Sequence, residues 1–515
     1  MRRLRAWVLA MFVLPAWSAS APVPPLQSGF ATERFDDLGL SLLVPRSYEA
    51  VALPPGERWV VLSYAERARR DGKVTKSIRP RMTVVWIDTT PKPAPAAAEL
   101  DPRRKRDARI ASLSAYLDAK YPGWTVGRSV EAKGQGAYSA REAMLARPDD
   151  DDRPVTGWMY AYESADRTVV MLGQCGEYDV KEHVNLWRAC AEKLRLFEPT
   201  NASSATLQAQ YANSKLIDVE HRIAVRKRLV RGWRAEDTEH FIVVYSTKDQ
   251  PLIRKVCFDV EVLYDLYARY FPPSGPMNEV STVRVCRDRA EYLAYGGDEE
   301  TAGYFNFLDE ELVFYDARVE RKGAVADDTT TFVVLYHEAF HQFIHYSVGE
   351  LPPHPWFNEG HGDFFGGAHV HGEVRSIEPN PMRVDTIREL VRLGRHVPWK
   401  DIVACEQSRF MQDAGVHYPQ SWSMIYFLRT APEVQRRAEW NAILPTYFDE
   451  LKRAWSEEKV ALEIAGEQHD WETRWKAGKR ARGRALASAF AGVDHAEIES
   501  AWLAFVKALP AARAK

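Results

Sequence analysis

Hydrophobic and polar positions change their period several times along this chain, and each change marks an element. Between Phe30 and about Pro199, short alternating runs such as Leu40-Ser41-Leu42-Leu43-Val44 and Met82-Thr83-Val84-Val85-Trp86-Ile87 predict strands, and Thr156 to Glu163 and Arg167 to Leu172 repeat the pattern. Helical periods intervene at Asp107 to Lys120 and Lys181 to Leu196, so residues 22–199 are expected to form an α+β, sandwich-like domain. Ala205 to Arg231 is charged and helical in pattern, which predicts a helical connector over residues 200–236. From Glu239 the alternation returns: His240 to Tyr245 predicts a strand, Pro251 to Tyr270 an amphipathic helix, Val280 to Val285 a strand, and Ala302 to Tyr315 a hairpin turning at Asp309-Glu310. Thr329 to Tyr346 predicts one long helix. After Gly366 helical periods dominate, at Asp385 to Leu393, Val416 to Arg429, Glu433 to Trp455 and Ala496 to Leu509. The expected fold class is therefore α+β, with a second domain over residues 237–515 whose C-terminal half is mostly helical. The basic, glycine-interrupted run Lys476 to Arg484 predicts a solvated loop, as does the acidic Asp149 to Asp152 between its Arg-Pro pairs.

Met1-Arg2-Arg3-Leu4-Arg5, then apolar Ala6 to Trp17, then Ala19-Ser20-Ala21, has the charge, length and small-residue site of a cleavable secretory signal over residues 1–21, with cleavage after Ala21. The apolar run is short for a bilayer span, no later run is apolar enough for one, and a secreted or periplasmic protein is the expectation. Losing residues 1–21 removes three arginines and moves the formal charge from -2 to -5, mild for 515 residues. Neither nucleic acid nor an anionic membrane is implied as a partner. Five cysteines are few for a disulfide scaffold, yet export permits bridges. Cys175 with Cys190 and Cys257 with Cys286 would close sensible loops and leave Cys405 odd; five buried thiols are the equal alternative.

Candidate chemistry is concentrated in His337-Glu338-Ala339-Phe340-His341 and in Trp356-Phe357-Asn358-Glu359-Gly360-His361-Gly362-Asp363-Phe364-Phe365-Gly366. On a helix His337 and His341 lie one turn apart, with Cβ atoms about 5–6 Å from each other, so two imidazoles can share one Zn²⁺. Glu338 follows the first of them directly, beside the metal rather than on it, where its carboxylate can take a proton from a water held there. A catalytic zinc needs a third protein ligand and keeps its fourth position open, and Glu359 is the best candidate. His345 continues the same face one turn further, out of reach of a single tetrahedral ion with bonds of about 2.0–2.1 Å. Ile344 and Ser347 stand where a metzincin site needs Gly and His. No Cys-x-x-Cys or Cys/His cluster competes for the metal.

The combination His337-Glu338-x-x-His341 with Asn358-Glu359-x-x-x-Asp363-x-Phe365-Gly366 resembles the gluzincin metallopeptidases, the clan of thermolysin and the membrane-alanyl aminopeptidases. The resemblance covers about Glu239 to Val506 and is most specific around these two segments. Ala290 to Gly297, Tyr336 to Gln342, Trp356 to Gly360 and Gln420-Ser421-Trp422 are similar to a group of bacterial peptidase-like proteins with such a domain. Those proteins carry Gly-x-Ala-Glu-Tyr-Phe after the ligand glutamate, where this chain has Gly360-His361-Gly362-Asp363-Phe364-Phe365. The resemblance implies one Zn²⁺ per chain on His337, His341 and Glu359, with Asp363 orienting His337. It also implies that the strands before the zinc helix offer an edge to a peptide backbone. A Tyr or His of the helical half would donate to the developing oxyanion, Tyr418 first and His417 second. The expected activity is hydrolysis of a peptide or protein substrate. No Gly-x-Met-Glu-Asn aminopeptidase signature precedes the zinc helix, which points to internal cleavage. Two rivals stand beside this reading: a non-catalytic envelope or extracellular binding protein on a peptidase scaffold, and a zinc hydrolase of a non-peptide substrate. Glu338 speaks against the first, because a structural zinc has no use for a base there. The motif leaves the second open.

Overall fold

Alternation along the strands sorts side chains into the cores of the first domain. In the computed structural model, which describes residues 29–510 apart from 55–56, 58, 68–78, 90–109, 148–154, 177–179, 201, 300, 308, 321–328 and 469, the chain is mixed α+β. The expected signal at 1–21 and the acidic run Asp149 to Asp152 lie outside the described residues. Arg81–Asp88, Arg167–Gly176, Val155–Glu163 and Tyr138–Ala146 pair antiparallel in that order at the centre of an eight-stranded sheet. Val169 and Met171 enter one core with Trp158, Trp187 and Cys190, under the helix Val180–Glu192. Val170 and Leu172 enter a second core with Tyr116 and Leu117 of the helix Leu113–Lys120. A period of two sends successive residues to opposite faces, so each face needs its own cover. The helix expected to reach Leu196 stops at Glu192, because Arg195–Leu196 turns to pair with Leu40–Pro45 in a small second sheet. Among the cysteines no disulfide forms, so neither pairing weighed from the sequence is present. Burial pushes the Cys190 and Cys257 thiols up to about 12.

The helical connector consists of two helices, Ala202–Tyr211 and Val219–Lys227. Asp218 divides them at φ 49° and caps the second by accepting from the His221 N–H. This segment is braced, not loose. Arg222 is fully buried, donates to Asp237 at 3.0 Å and also binds the carbonyls of Ile217, Glu239 and Phe241, while Arg226 reaches Asp237 at 2.5 Å.

Beyond it, Arg234–Asp237 pairs antiparallel with Phe241–Tyr245, which is parallel to Ser281–Cys286, itself parallel to Glu311–Tyr315. Gly303–Asn306 runs antiparallel along the far side of Glu311–Tyr315 and forms the sheet edge, with Glu310 at φ 51° in the hairpin turn. Every residue of Phe241–Tyr245 is buried, as expected of an interior strand covered on both faces. Asp249 caps the helix Gln250–Tyr270 that packs on this sheet by accepting from Leu252 N–H.

Helices dominate the C-terminal half, with two corrections to the expected set. Glu433 to Trp455 is not one helix but Pro432–Arg436, Ala438–Asn441 and Ile443–Ala465. Pro445 explains the restart: a proline clashes in a helix interior but is tolerated in the first turn, where it stands here. Lys476 to Arg484 is not a solvated loop but lies inside the helix Trp471–Ala489. Ala477, Gly478, Ala481 and Ala485 are its buried side, and a Cβ on Gly478 would stand 2.7 Å from Leu351 Cδ1. Lys476, Arg480 and Arg484 pair outward with Glu472, Glu458 and Glu457, so the charge run is one face of an amphipathic helix. No helix among the described residues is long and apolar enough to cross a membrane.

Candidate metal centre

Two helices meet at the site. Thr329–Val348 carries His337 and His341 one turn apart, and Pro355–Phe365 packs against it with Glu359 and Asp363 one turn apart. The second helix starts with Pro355 at its first position, where the missing N–H was unpaired in any case. His354, just before it, is anchored through its N–H and its Nδ1 to the Tyr447 hydroxyl at 2.8 and 2.9 Å. Two glycines set the approach of the neighbours. A Cβ on Gly362 would stand 2.8 Å from the His337 ring, and one on Gly360 would stand 2.7 Å from the Ser421 carbonyl oxygen in the helix Ala414–Thr430. The His337 imidazole thus lies against bare backbone.

Three donor atoms converge. His337 Nε2 and His341 Nε2 are 2.9 Å apart, and Glu359 Oε2 is 3.3 Å from the first and 3.2 Å from the second. Donors on a tetrahedral Zn²⁺ with bonds of about 2.0–2.1 Å stand about 3.3 Å from one another, so the triangle has the right size. The outer nitrogens fix the tautomers. His337 Nδ1 faces Asp363 Oδ1 at 3.2 Å and His341 Nδ1 faces Asn358 Oδ1 at 3.1 Å. Acceptors at both Nδ1 atoms favour a proton there, which turns both Nε2 lone pairs inward, toward a carboxylate. Three lone pairs aimed at one point repel each other unless a cation stands between them. Without a metal, a proton on His337 takes that place. Burial opposes charge on His337, but Asp363 and Glu359 outweigh it and raise its pKa to about 10. Burial would raise Glu359, yet His341 and His337 hold it well below the usual carboxylate range.

Asp363 is itself held. Its Oδ2 accepts from Arg383 Nε at 2.7 Å, and its backbone carbonyl accepts from the buried Asn380 amide at 3.1 Å. Asp363→Asn is expected to weaken metal binding or activity by about 10–100-fold with the fold kept, because the amide no longer offers His337 the same charged acceptor. Competition against a chromophoric chelator measures this, with circular dichroism as the control for folding. Unchanged affinity and turnover would remove Asp363 from the site.

Glu338 is half-buried and makes no hydrogen bond or ion pair to a described residue. Its charge reaches His337, Tyr418 and Tyr292. The Tyr418 ring lies 6.4 Å from the His337 ring at 25°, with the Arg383 guanidinium 5.2 Å from its centre. Burial, then the Glu359, Glu338 and Asp363 charges, hold the Tyr418 phenol well above its ordinary pKa, which keeps it a proton donor. His417 is directed elsewhere: its Nδ1 bonds the Phe410 carbonyl at 2.7 Å and its ring packs on Phe410. Tyr418 is therefore brought to the converging donors and His417 is not. His345, one turn beyond His341, faces Glu310 of the edge hairpin at 3.7 Å. His361 is buried with Nδ1 on the Phe357 carbonyl at 2.8 Å and Nε2 accepting from Arg429 at 3.1 Å. Burial and Arg429 hold it far below its ordinary pKa, and both of its nitrogens are engaged away from the triangle.

No protein-family model matches the chain, and no curated protein matches it. Among solved structures, cyanobacterial PsbP (CyanoP) from Synechocystis is similar at 9% identity over 35% of this chain and 98% of its own, with a TM-score of 0.23. LpqN, involved in cell envelope biogenesis of Mycobacterium tuberculosis, is similar at 13% identity over 33% of this chain and 90% of its own, with a TM-score of 0.21. Likenesses at these scores carry no argument about this protein's chemistry.

Proposed function

We propose that this protein is an exported zinc metallopeptidase of gluzincin type that cleaves internal peptide bonds. The observation that carries the reading is the inward-facing triangle of His337 Nε2, His341 Nε2 and Glu359 Oε2, with both outer nitrogens committed to acceptors. His337, His341 and Glu359 would hold Zn²⁺, which when bound supplies a Lewis acid for the scissile carbonyl and makes water acidic enough to ionise near neutral pH. Glu338 accepts the proton of the attacking water and passes it to the leaving amine nitrogen. Tyr418 donates its phenolic proton in a hydrogen bond to the carbonyl oxygen as that oxygen gains charge. Asp363 and Asn358 hold the two rings, and Arg383 holds Asp363. The edge strand Gly303–Asn306 packs beside the His337 helix and is paired on one side only among the described residues. Its other side offers backbone groups to an extended peptide. Export rests on the residue pattern of the first 21 positions. A peptide-library digest read by mass spectrometry, with and without chelator, tests the activity. Cleavage that survives complete metal removal would overturn it.

Purified protein is expected to carry about one Zn²⁺ per chain, and His337→Ala, His341→Ala and Glu359→Ala each to lose most of it. Elemental analysis decides, and full occupancy in all three variants would sink the site. A pH dependence follows from the raised His337 pKa of about 10. At pH 7 the metal-free ring holds a proton that the metal must displace, so uptake releases protons and affinity falls as pH falls. Calorimetry in buffers of different ionisation enthalpy counts them. Zero release at pH 7 contradicts the assignment.

A further inference from the structure

A cavity of about 330 Å³ opens between the sheet of the N-terminal domain and residues 294–296, at the end of the helix Arg289–Tyr295. Its floor departs from the pattern of its own sheet face. On the strand Arg81–Asp88, Val85 and Ile87 join the apolar core with Val170 and Leu172, but the next residues on that face are Thr83 and Arg81. In register, Ser63 stands opposite Thr83 and Gln174 opposite Arg81, so four polar side chains are grouped on one end of an otherwise apolar face. Ser63 and Thr83 are buried, at 4% and 8% exposure. Neither hydroxyl, nor the Gln174 amide, has a hydrogen bond to a described residue. Facing the cavity, these groups leave their hydrogen-bonding capacity open to whatever occupies it.

Arg81 sets the sign of that ligand. Its guanidinium donates to the Ala294 carbonyl at 3.3 Å and has no carboxylate partner among the described residues. Burial lowers its pKa, and the groups acting on it are Tyr121 and Arg79. Glu57, the acid among the lining residues, acts on Tyr121 instead. Lys120 also lines the cavity, with its ammonium 5.1 Å from the centre of the Trp59 ring. Tyr116 and Tyr121, with ring centres 6.2 Å apart, supply aromatic wall. The planar Arg81 guanidinium, backed by neutral hydroxyl and amide groups, offers a carboxylate a two-point hold, and the acid Glu57 in the same lining offsets the Lys120 charge that a doubly charged phosphate would need. The volume is at the small end of ligand sites, about 300–1,000 Å³.

We propose that this interdomain cavity binds a small organic carboxylate, anchored on Arg81 and flanked by Gln174, Thr83 and Ser63. The site owes nothing to the metal centre, and its ligand touches both domains at once. Tyr295 in its wall donates to Glu311, which opposes Asn306 of the edge strand, so occupancy adjoins the strand that flanks the metal site.

Calorimetric titration of the full exported chain with free protein amino acids, succinate and inorganic phosphate tests this. At least one carboxylate probe is expected to bind once per chain, and Arg81→Gln to weaken it by about 10–100-fold. Should Arg81→Gln fail to fold, Thr83→Val, which keeps the shape and removes the hydroxyl, is expected to weaken the same probe by about 5-fold or more. Glu359→Ala is expected to leave carboxylate binding intact, which separates this cavity from a carboxylate landing on the metal. Overturning results are the absence of carboxylate binding up to about 10 mM, binding of phosphate alone, equal affinity in the Arg81 and Thr83 variants and wild type, or loss of binding with the metal in Glu359→Ala.

Discussion

Glu338→Gln is expected to bind Zn²⁺ as the wild type does and to hydrolyse peptides about 10²–10⁴-fold more slowly. The carboxylate of Glu338 is outside the donor triangle, so the metal does not depend on it. It has no other hydrogen-bond or ion-pair partner among the described residues, so replacing it by the amide of the same shape leaves no buried charge stranded. What the amide lacks is the capacity to accept a proton from water. Elemental analysis and the peptide-library digest, run on the same preparations, read the two halves of this expectation separately. Wild-type turnover by Glu338→Gln would end its role as base. If broad screens yield no substrate and Glu338→Gln complements a deletion strain as well as wild type, the scaffold reading takes over.

Tyr418→Phe is expected to keep both the metal and the base and to lose about 10²–10³ in kcat, the usual cost of one oxyanion donor. KM should move little, because the hydrogen bond strengthens only as the carbonyl oxygen acquires charge. His417→Ala is the control. Its ring is spent on the Phe410 carbonyl, so removing it should lower stability rather than kcat. A normal kcat for Tyr418→Phe together with a fall for a stable His417→Ala would move the oxyanion role to His417.

The approach of His337 to His341 was legible because it depends on helix geometry alone, one turn within the first helix, whereas Glu359 on the second helix was legible through the motif that carries the gluzincin resemblance. The main strands of the first domain were legible for a similar reason, since each shows its period within a few residues. Arg383 and Asn380 were not legible. They reach Asp363 from 20 and 17 residues downstream, where nothing local distinguishes them from any other Arg and Asn. Asn358 stood inside the quoted motif without a role, because an acceptor for His341 Nδ1 is visible only once the rings are placed. Gly362 was noticed as a departure from related sequences, but its reason is the His337 ring lying where a methyl would be. The basic run Lys476 to Arg484 misled because its glycines suggest breaks. Gly478 is in fact where the helix comes close to Leu351, a tertiary demand that overrides local propensity.

The donor triangle has one more consequence, for competition among metals. It presents two imidazoles and a single carboxylate oxygen. Ca²⁺ and Mg²⁺, which collect many oxygens, find too little there to hold. Among first-row divalent ions such a set follows the Irving–Williams order, with Cu²⁺ ahead of Zn²⁺ and Mn²⁺ far behind. Nothing in two rings braced by Asp363 and Asn358 reverses that ranking. If the triangle holds a metal as proposed, the ion that fills it is decided by supply, and copper in excess is expected to displace zinc.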